Sequence, residues 1–434
     1  MSWGGGTFLT QNKILGGAYI NFISKAVPSA TLRDRGVVAF GFELDWGVDD
    51  KIFEVVESDV LKNSLEIFGY DYASDKIAGI KDIFKNATKL YAFKLNTGGE
   101  KATNAYATAK YAGIRGNDLN VIIENAVDLE SGFDVSLYLG TKLLDKQTVA
   151  QAADLVNNDW VDWKTDASLA VTAGTKLTGG TNGTASAAEH QTFLGLCESY
   201  PDINAIGYAG TEADIKNLYI AWAENMRDTV GVKLQAVVYQ QAADNEAVVN
   251  VENEAVDTNK AALVYWATGV IAGTAVNKSA TNKRYDGEYE IKVDYTQSEL
   301  EKCLTAGKWT LHRVGDEIRV LEDVNSLVTV TDEKGEIFKD NQTIRIIDQI
   351  ATAVASIFTS KYLGQVPNDK DGRLSLWNDV VKIHQDLQSI RALEDFEPED
   401  ITVEQGDAKK SVVINESITI VNTMVRLYMT VVIG

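Results

Sequence analysis

The last residues of the chain have an alternating pattern of apolar and polar side chains over 425–433. This two-residue period predicts a β-strand with one apolar face. The preceding run over 412–420 has a similar pattern, so we expect a hairpin or two consecutive strands. The apolar positions are Val425, Leu427, Met429, Val431 and Ile433 in the last run and Val412, Ile414, Ile418 and Ile420 in the preceding run.

An apolar strand at the edge of a fold favours pairing with another chain. Burying the five apolar side chains of this strand contributes roughly 1.5–3 kcal/mol each, whereas association costs about 4–15 kcal/mol. One such arm is therefore marginal, and many arms in one lattice bind strongly. We predict a polymer in which the strand pairs with a neighbouring copy. The predicted contact residues are Val425, Leu427, Tyr428, Met429, Val431 and Ile433.

The N-terminal segment over 1–33 has basic residues and no acidic residue. Gly16 and Gly17 precede a short strand-like run, and we predict that this run also pairs with a neighbouring subunit. The alternative is an ordinary edge strand of the first domain. The segment lacks the basic start and continuous apolar stretch of a signal peptide. The predicted N-terminal contact residues are Ala18, Tyr19, Ile20, Asn21, Phe22 and Ile23.

Between the two ends, strand and helix patterns predict an α/β and α+β multidomain protein. Strand-like runs over 119–123 and 133–139 indicate a small, mostly β domain. Farther along, a helical pattern follows Thr211 between strand-like runs over 203–208 and 234–239. This alternation favours an α/β domain with a largely parallel sheet.

Two amphipathic helices, with apolar positions over 344–358 and 376–390, precede the last strands. Glycine-rich turns at 97–99 and 179–184 mark boundaries. The predicted units are an N-terminal arm over 1–25, an N-terminal α+β domain over 26–96, a small β domain over 97–180, an α/β domain over 181–335, a C-terminal helical and α+β domain over 336–410, and a C-terminal β-arm over 411–434.

Composition narrows the class of protein. A chain of 434 residues is long enough for two to four domains. Its 62 acidic and 41 basic residues give a net charge of −21, which argues against nucleic acid or an anionic membrane as a direct partner. The two cysteines, Cys197 and Cys303, lie far apart and indicate reduced thiols in a protein made in the cytoplasm.

Candidates for catalysis or metal binding are scarce. The three histidines, His190, His312 and His384, have no metal-ligand partner at helical spacing. We expect an exposed or capping role for His190 and a place on the polar side of its helix for His384. The sequence has no nucleophile elbow, phosphate loop or dinucleotide motif. We therefore expect no catalytic residue, metal or cofactor. A hydrolase on the α/β domain is the alternative, and it requires a nucleophile paired with a histidine.

Eight segments together point to a family. They are 16–22 (GGAYINF), 180–184 (GTNGT), 201–204 (PDIN), 272–279 (AGTAVNKS), 319–327 (RVLEDVNSL), 345–351 (RIIDQIA), 362–368 (YLGQVPN) and 421–431 (VNTMVRLYMTV). In this order they resemble the tail sheath proteins of contractile bacteriophages, prophages and R-type bacteriocins, especially those of Gram-positive hosts. The resemblance spans nearly the whole chain and is weakest between Gly98 and Asp166. Family members often have proline where Gly16 stands.

The resemblance implies a structural subunit of a contractile tail sheath, not an enzyme. Such subunits polymerise in hexameric rings, as a six-start helix, around an inner tail tube. Contraction from a metastable extended state drives the tube through the target cell envelope. The implied fold has a subtilisin-like α/β domain without a catalytic triad and terminal arms that exchange strands between subunits.

The resemblance also implies the partners: other copies of the chain, the inner tail tube protein, and the baseplate and tail terminator proteins, with no direct nucleic acid or membrane contact. The expected location is a virion tail sheath or bacteriocin particle, assembled in the bacterial cytoplasm. Because the family's C-terminal domain faces the tube, we expect Lys361, Lys382 and Arg391 to contact it. Their alternative role is that of solvated helix charges. The sheath of a non-phage contractile injection system remains an alternative, and a surface-layer protein would need an export signal.

Overall fold

The computed structural model describes residues 35–433, which form nineteen strands and eight α-helices. The strands are β1 (Val37–Phe42), β2 (Phe53–Val56), β3 (Lys89–Lys94), β4 (Ala107–Ala109), β5 (Leu119–Asn125), β6 (Phe133–Leu139), β7 (Lys142–Val149), β8 (Val161–Trp163), β9 (Thr172–Lys176), β10 (Ala205–Tyr208), β11 (Gln235–Tyr239), β12 (Val248–Val251), β13 (Lys308–Trp309), β14 (Leu311–Val314), β15 (Glu317–Val320), β16 (Leu393–Glu394), β17 (Ile401–Gln405), β18 (Val412–Glu416) and β19 (Thr419–Ile420). The helices are α1 (Glu57–Phe68), α2 (Ala78–Phe84), α3 (Ala187–Cys197), α4 (Ala213–Asn225), α5 (Leu263–Gly273), α6 (Gln297–Thr305), α7 (Asn341–Ile357) and α8 (Lys370–Ser389).

A seven-stranded sheet forms the centre of the molecule, in the order β13-β12-β11-β10-β1-β3-β2. Every neighbouring pair is parallel except β2 with β3. Val38 in β1 lies opposite Leu90 in β3 on one side and Ala205 in β10 on the other. The expected largely parallel sheet is therefore confirmed. Residues 37–94 and 205–309, which we placed in two predicted domains, both contribute strands to this one sheet.

Helices cover both faces of the sheet, as a parallel sheet requires. The helices α2 and α5 pack on one face, and α3 and α4 pack on the other. Nine of the eleven residues of α5 are buried, because it is apolar on all sides. A Cβ at Gly273 would lie 1.8 Å from the carbonyl oxygen of Asn86. Only glycine therefore lets the end of α5 approach the chain after α2 so closely.

The small β domain lies between β3 and α3 in the sequence. Its main sheet has the order β7-β6-β5-β9, and β4 pairs with β8 beside it. The predicted strand-like runs over 119–123 and 133–139 are confirmed as β5 and β6. Its core is separate from that of the seven-stranded sheet. A Cβ at Gly183 would lie 1.6 Å from the carbonyl oxygen of Thr97, so the chain enters and leaves the domain through closely adjacent backbones.

The C-terminal domain packs α7 and α8 against two pairs of short strands, β17 with β18 and β16 with β19. Both helices were predicted. The apolar positions of the run over 412–420 all pack against the core of this domain. They are Val412, Ile414, Ile418 and Ile420. The predicted one-sided apolar pattern of this run is thus confirmed, although its strands pair with earlier segments.

The final run over 425–433 forms no strand pairing among the described residues. The hairpin that we expected between it and the preceding run is therefore not formed within the subunit. Instead, β18 pairs with β17 and β19 pairs with β16. The predicted N-terminal contact residues, Ala18 to Ile23, lie outside the described residues.

Candidate assembly surface

The C-terminal arm, which we define as residues 421–433, leaves the body of the subunit with its apolar side chains in solvent. Leu427 is 88% exposed and Ile433 is 91% exposed. Met429 and Val431 are also exposed, as is Tyr428 on the other face. A row of exposed large apolar side chains of this kind marks an interaction surface. The arm therefore has the chemistry of a strand that lacks its partner.

The root of the arm, residues 421–426, is held by hydrogen bonds to the start of α7. The side-chain amide of Gln342 donates to the carbonyl oxygen of Val421 at 3.1 Å and accepts from the backbone N–H of Thr423 at 3.1 Å. The amide of Asn422 donates to Asp340 and to Thr343, at 3.2 Å in each case. The root is thus fixed by polar contacts, whereas the apolar side chains beyond it are mostly exposed.

A surface ion pair completes the root. The Nη2 atom of Arg426 lies 2.7 Å from Oε1 of Glu322. The side chain of Arg426 is mostly exposed, and exposed ion pairs contribute only about 0–1 kcal/mol. The pair therefore orients the arm weakly.

The hairpin formed by β17 and β18 presents unpaired strand edges. Its register runs from Ile401 opposite Glu416 to Gln405 opposite Val412. Among residues 35–433 these two strands pair only with each other. A groove of about 570 Å³ lies beside β17, with Leu374 and Trp377 in its wall. An open strand edge next to apolar side chains is suited to accept another strand.

A cavity of about 730 Å³ lies at the carboxyl ends of β1 and β10. Ser186 and His190 both line it. However, Ser186 caps α3 through Glu189, and Nδ1 of His190 lies 3.0 Å from the hydroxyl of Tyr219. Burial lowers the pKa of His190. Ser186 and His190 are therefore engaged with other residues and form no nucleophile–base pair with each other.

The histidine expectations are wrong for His190 and His384. Both are buried. His384 lies in α8 with Nδ1 2.9 Å from the carbonyl oxygen of Val380 and Nε2 3.1 Å from Glu416. Its ring stacks on Phe396. Each histidine therefore has a structural contact through Nδ1, His190 with Tyr219 and His384 with Val380.

Comparison with known families gives three consecutive matches. Residues 97–182 match the description "Phage tail sheath protein beta-sandwich domain", 183–326 match "Phage tail sheath protein central domain", and 333–434 match "Phage tail sheath C-terminal domain". The chain belongs to the phage tail sheath family. It is thus a tail sheath protein.

Relatives and solved structures of this sheath protein extend over almost its full length. The structure of a sheath tail protein from Desulfitobacterium hafniense has a TM-score of 0.80 and 30% identity, covering 93% of this chain and 100% of the other. A sheath tail protein from Listeria innocua has a TM-score of 0.76 and 27% identity, covering 91% and 93%. The phage-like element PBSX protein XkdK of Bacillus subtilis is 27% identical over 98% of this chain and 99% of its own.

More distant structures share the fold. The sheath of an extracellular contractile injection system, solved in its contracted state, has a TM-score of 0.58 at 11% identity and covers 97% of this chain. Among residues 35–433, no helix is both long and apolar enough to cross a membrane.

The three basic residues that we assigned to the tube surface differ in their surroundings. Nζ of Lys361 lies 2.7 Å from Oδ2 of Asp379, and this hydrogen bond raises the pKa of the lysine. Lys382 and Arg391 are exposed and have no ion-pair partner among the described residues. Lys361 is thus partly neutralised within the sheath subunit, and the other two present free charge.

Sequence reasoning missed a second basic surface. A cavity of about 460 Å³ between the end of α7 and the hairpin is lined by Arg373, Lys409 and Lys410 and by no acidic residue. Apolar side chains, among them Phe358 and Leu376, form its wall. In a chain with a net charge of −21, such a pocket favours an acidic partner. Lys409 and Lys410 are adjacent in the sequence, but Arg373 lies far before them, so only the fold brings it to the two lysines.

Proposed function

We propose that this sheath protein polymerises by strand exchange, through the C-terminal arm and an N-terminal arm over 18–23, into a six-start helix around an inner tail tube. The observation that carries the proposal is the exposed, alternating apolar run over 425–433, anchored at its root and unpaired beyond it. A segment that buried its apolar face within its own subunit would offer no such strand.

The hairpin of β17 and β18 is the acceptor that we propose for these arms. Its edges are open among the described residues, and Leu374 and Trp377 supply apolar contacts beside β17. Each ladder hydrogen bond contributes about 0.5–1.5 kcal/mol, so one added strand is a weak link. Repetition along a helical lattice makes the links collectively strong.

The proposed sheath needs no nucleotide or cofactor. A baseplate and the tube template hold the subunits in an extended lattice, and contraction follows when the bodies repack into a lower-energy arrangement. The arms stay paired while the bodies rotate, because the arm is attached through its root alone. This contraction drives the tube through the target cell envelope.

The proposed tube contact lies on the C-terminal domain. Lys382 and Arg391 are exposed, and Lys361 lies nearby in its pair with Asp379. Opposite charges across such a surface strengthen association and speed encounter. Charge reversal at Lys382 and Arg391 should therefore weaken cosedimentation of sheath with tube, whereas reversal at Lys361 should have a smaller effect. Equal cosedimentation of all variants would contradict this contact.

The remaining proposed partners are the baseplate and tail terminator proteins, which cap the two ends of the lattice. We propose assembly in the bacterial cytoplasm as part of a virion or bacteriocin particle. No catalytic role is proposed.

The test is a truncation after Arg426, which removes the exposed residues and keeps the root. Purified full-length protein should form hollow cylinders in negative-stain electron micrographs. The truncated protein should remain folded, with an unchanged circular dichroism spectrum and melting temperature, and should stay as single subunits. Cylinders formed by the truncated protein would overturn the proposal.

A further inference from the structure

One buried side chain, that of Gln342, forms hydrogen bonds with the backbone of the arm root. Gln342 is 1% exposed. Its amide group pairs with the carbonyl oxygen of Val421 and the N–H of Thr423, in the way that a neighbouring strand would. The backbone N–H of Val421 also donates to the carbonyl oxygen of Ala392, at 3.0 Å. The direction of the chain is therefore set at residues 421–423, before the alternating apolar run begins at Val425.

The same turn of α7 that holds the root also holds the body. The side-chain oxygen of Asn341 accepts from Gln235 in β11 at 2.9 Å, and its nitrogen donates to Asp323 at 3.1 Å. One turn later, Arg345 lies 2.5 Å from Asp323. Both Arg345 and Asp323 are at most 1% exposed. Buried charge-assisted contacts of this kind are rigid, so the start of α7 is fixed to the central sheet.

The first turn of α7 thus connects two regions that move against each other in the proposed sheath. On one side its side chains bond to the seven-stranded sheet and to Asp323, and on the other side they bond to the arm root. Asp340 completes the turn, because its carboxylate caps the helix at Thr343 and accepts from Asn422.

We infer that Gln342 is a positioning residue for assembly: it fixes the backbone of Val421 and Thr423 to the rigid start of α7, so that the arm leaves every subunit in one direction. The inference rests on the proposed strand exchange. A root held in advance has less conformational freedom to lose when the arm pairs with a neighbour. Without Gln342 the arm keeps its apolar side chains, but the direction in which it leaves the subunit is no longer fixed.

Gln342→Met tests this directly, because methionine keeps the length of the side chain and removes both hydrogen bonds. Gln349→Met is the matched control. Gln349 lies seven residues later in α7, is also buried, and its amide nitrogen has no hydrogen-bond partner among the described residues. The concentration at which sheaths begin to form should rise about tenfold for Gln342→Met, the change expected for about 1.4 kcal/mol. It should change less than twofold for Gln349→Met.

Hydrogen exchange supplies a readout that a general loss of stability would not give. In full-length subunits below the assembly concentration, the amide of Thr423 should exchange faster in Gln342→Met, while amides in the centre of α7 exchange as before. Thr423→Pro removes the backbone N–H that donates to Gln342, and it does so at an exposed position. It therefore tests the role of this contact even if Gln342→Met does not fold. It should raise the assembly concentration in the same way.

Assembly at the unaltered concentration by either folded variant would overturn the role of Gln342. Faster exchange throughout α7 would also overturn it, because the effect would then be a general loosening of the helix. The failure of the proposed function looks different: the truncation after Arg426 would still form sheaths, whatever the behaviour of Gln342→Met.

Discussion

Two adjacent segments have the same alternating pattern and different structures. In the run over 412–420, the apolar side chains pack on the C-terminal domain, and its strands find partners in β17 and β16. In the arm, the same kind of side chain lies in solvent. The pattern alone therefore predicts a strand and its apolar face. Which edge the strand pairs with depends on whether an open edge within the same subunit is in reach.

The largest expected effect is on the assembly concentration, and it should differ between the two faces of the arm. Leu427→Asp combined with Met429→Asp places charge on the apolar face and should raise the assembly concentration at least about 100-fold, since each side chain contributes roughly 1.5–3 kcal/mol when buried. The stability of the single subunit should not change, because both side chains are exposed. Sedimentation velocity measures the first effect and chemical denaturation the second.

Tyr428→Asp combined with Thr430→Asp is the matched control on the opposite face of the predicted strand. Its effect on assembly should be clearly smaller. Equal loss of assembly in both double variants would contradict a strand with one buried face, although not the role of the arm as such.

The stability of the body of the subunit should depend on pH through a residue that lies far from the arm in the sequence. Burial raises the pKa of Asp82 to about 7, and its Oδ1 accepts from the N–H of Glu288 at 2.6 Å. Between about pH 4 and 7 the folded protein holds a proton that the unfolded chain has released, so the free energy of unfolding falls as pH rises. Asp82→Asn keeps the acceptor and cannot ionise.

We therefore expect Asp82→Asn to stabilise the subunit at pH 8 by on the order of 3 kcal/mol and to change it little at pH 4. Denaturant unfolding at the two pH values measures this difference. Asp128→Asn, at an exposed position in the small β domain, is the control and should have no such pH-dependent effect. Equal stability of wild type and Asp82→Asn at pH 8 would contradict the raised pKa.

In the folded run, Ile414→Ala should lower the free energy of unfolding by about 1–2 kcal/mol, because Ile414 packs against the core and is only partly buried. Val413→Ala, on the exposed face of the same strand, should change it by less than about 0.5 kcal/mol. Thermal unfolding of the two variants measures the contrast. A similar cost at both positions would show that the run has no preferred face.

The smallest effect concerns the ion pair at the arm root. Arg426→Gln should raise the assembly concentration about twofold at low salt and less at high salt, because exposed pairs are weak and screened. Glu322→Gln should do the same, and the double variant should add little. A large effect that persists in high salt would indicate that Arg426 contacts a neighbouring subunit instead.

Much of the local structure could be predicted from patterns in the sequence. The strands β5 and β6, the helices α7 and α8 and the one-sided run over 412–420 follow from periodicity, which depends on neighbouring residues only. The shared sheet could not be predicted, because the small β domain lies in the sequence between β3 and β10. His384 was misplaced because its polar ring is buried by a contact with Glu416 on a distant strand.

For the proposed assembly surface, too, only features that depend on neighbouring residues could be predicted from the sequence. The apolar alternation of the arm is a local signal, and the strand that it predicts stays a prediction, because residues 425–433 form no strand pairing within the subunit. Gln342 gave no signal, because its partners lie about 80 residues away in the sequence. The preceding Asp340 has the form of a helix cap, and that pattern could have marked the start of α7 but not its contact with the arm.

The most direct test of strand exchange is a cryo-electron microscopy reconstruction of sheaths assembled from the full-length protein. Density for residues 425–433 should form a β-strand along the hairpin of an adjacent subunit, with Leu427, Met429 and Val431 on the buried face. Density that follows these residues back onto their own subunit, in a sheath that still holds together, would contradict the account.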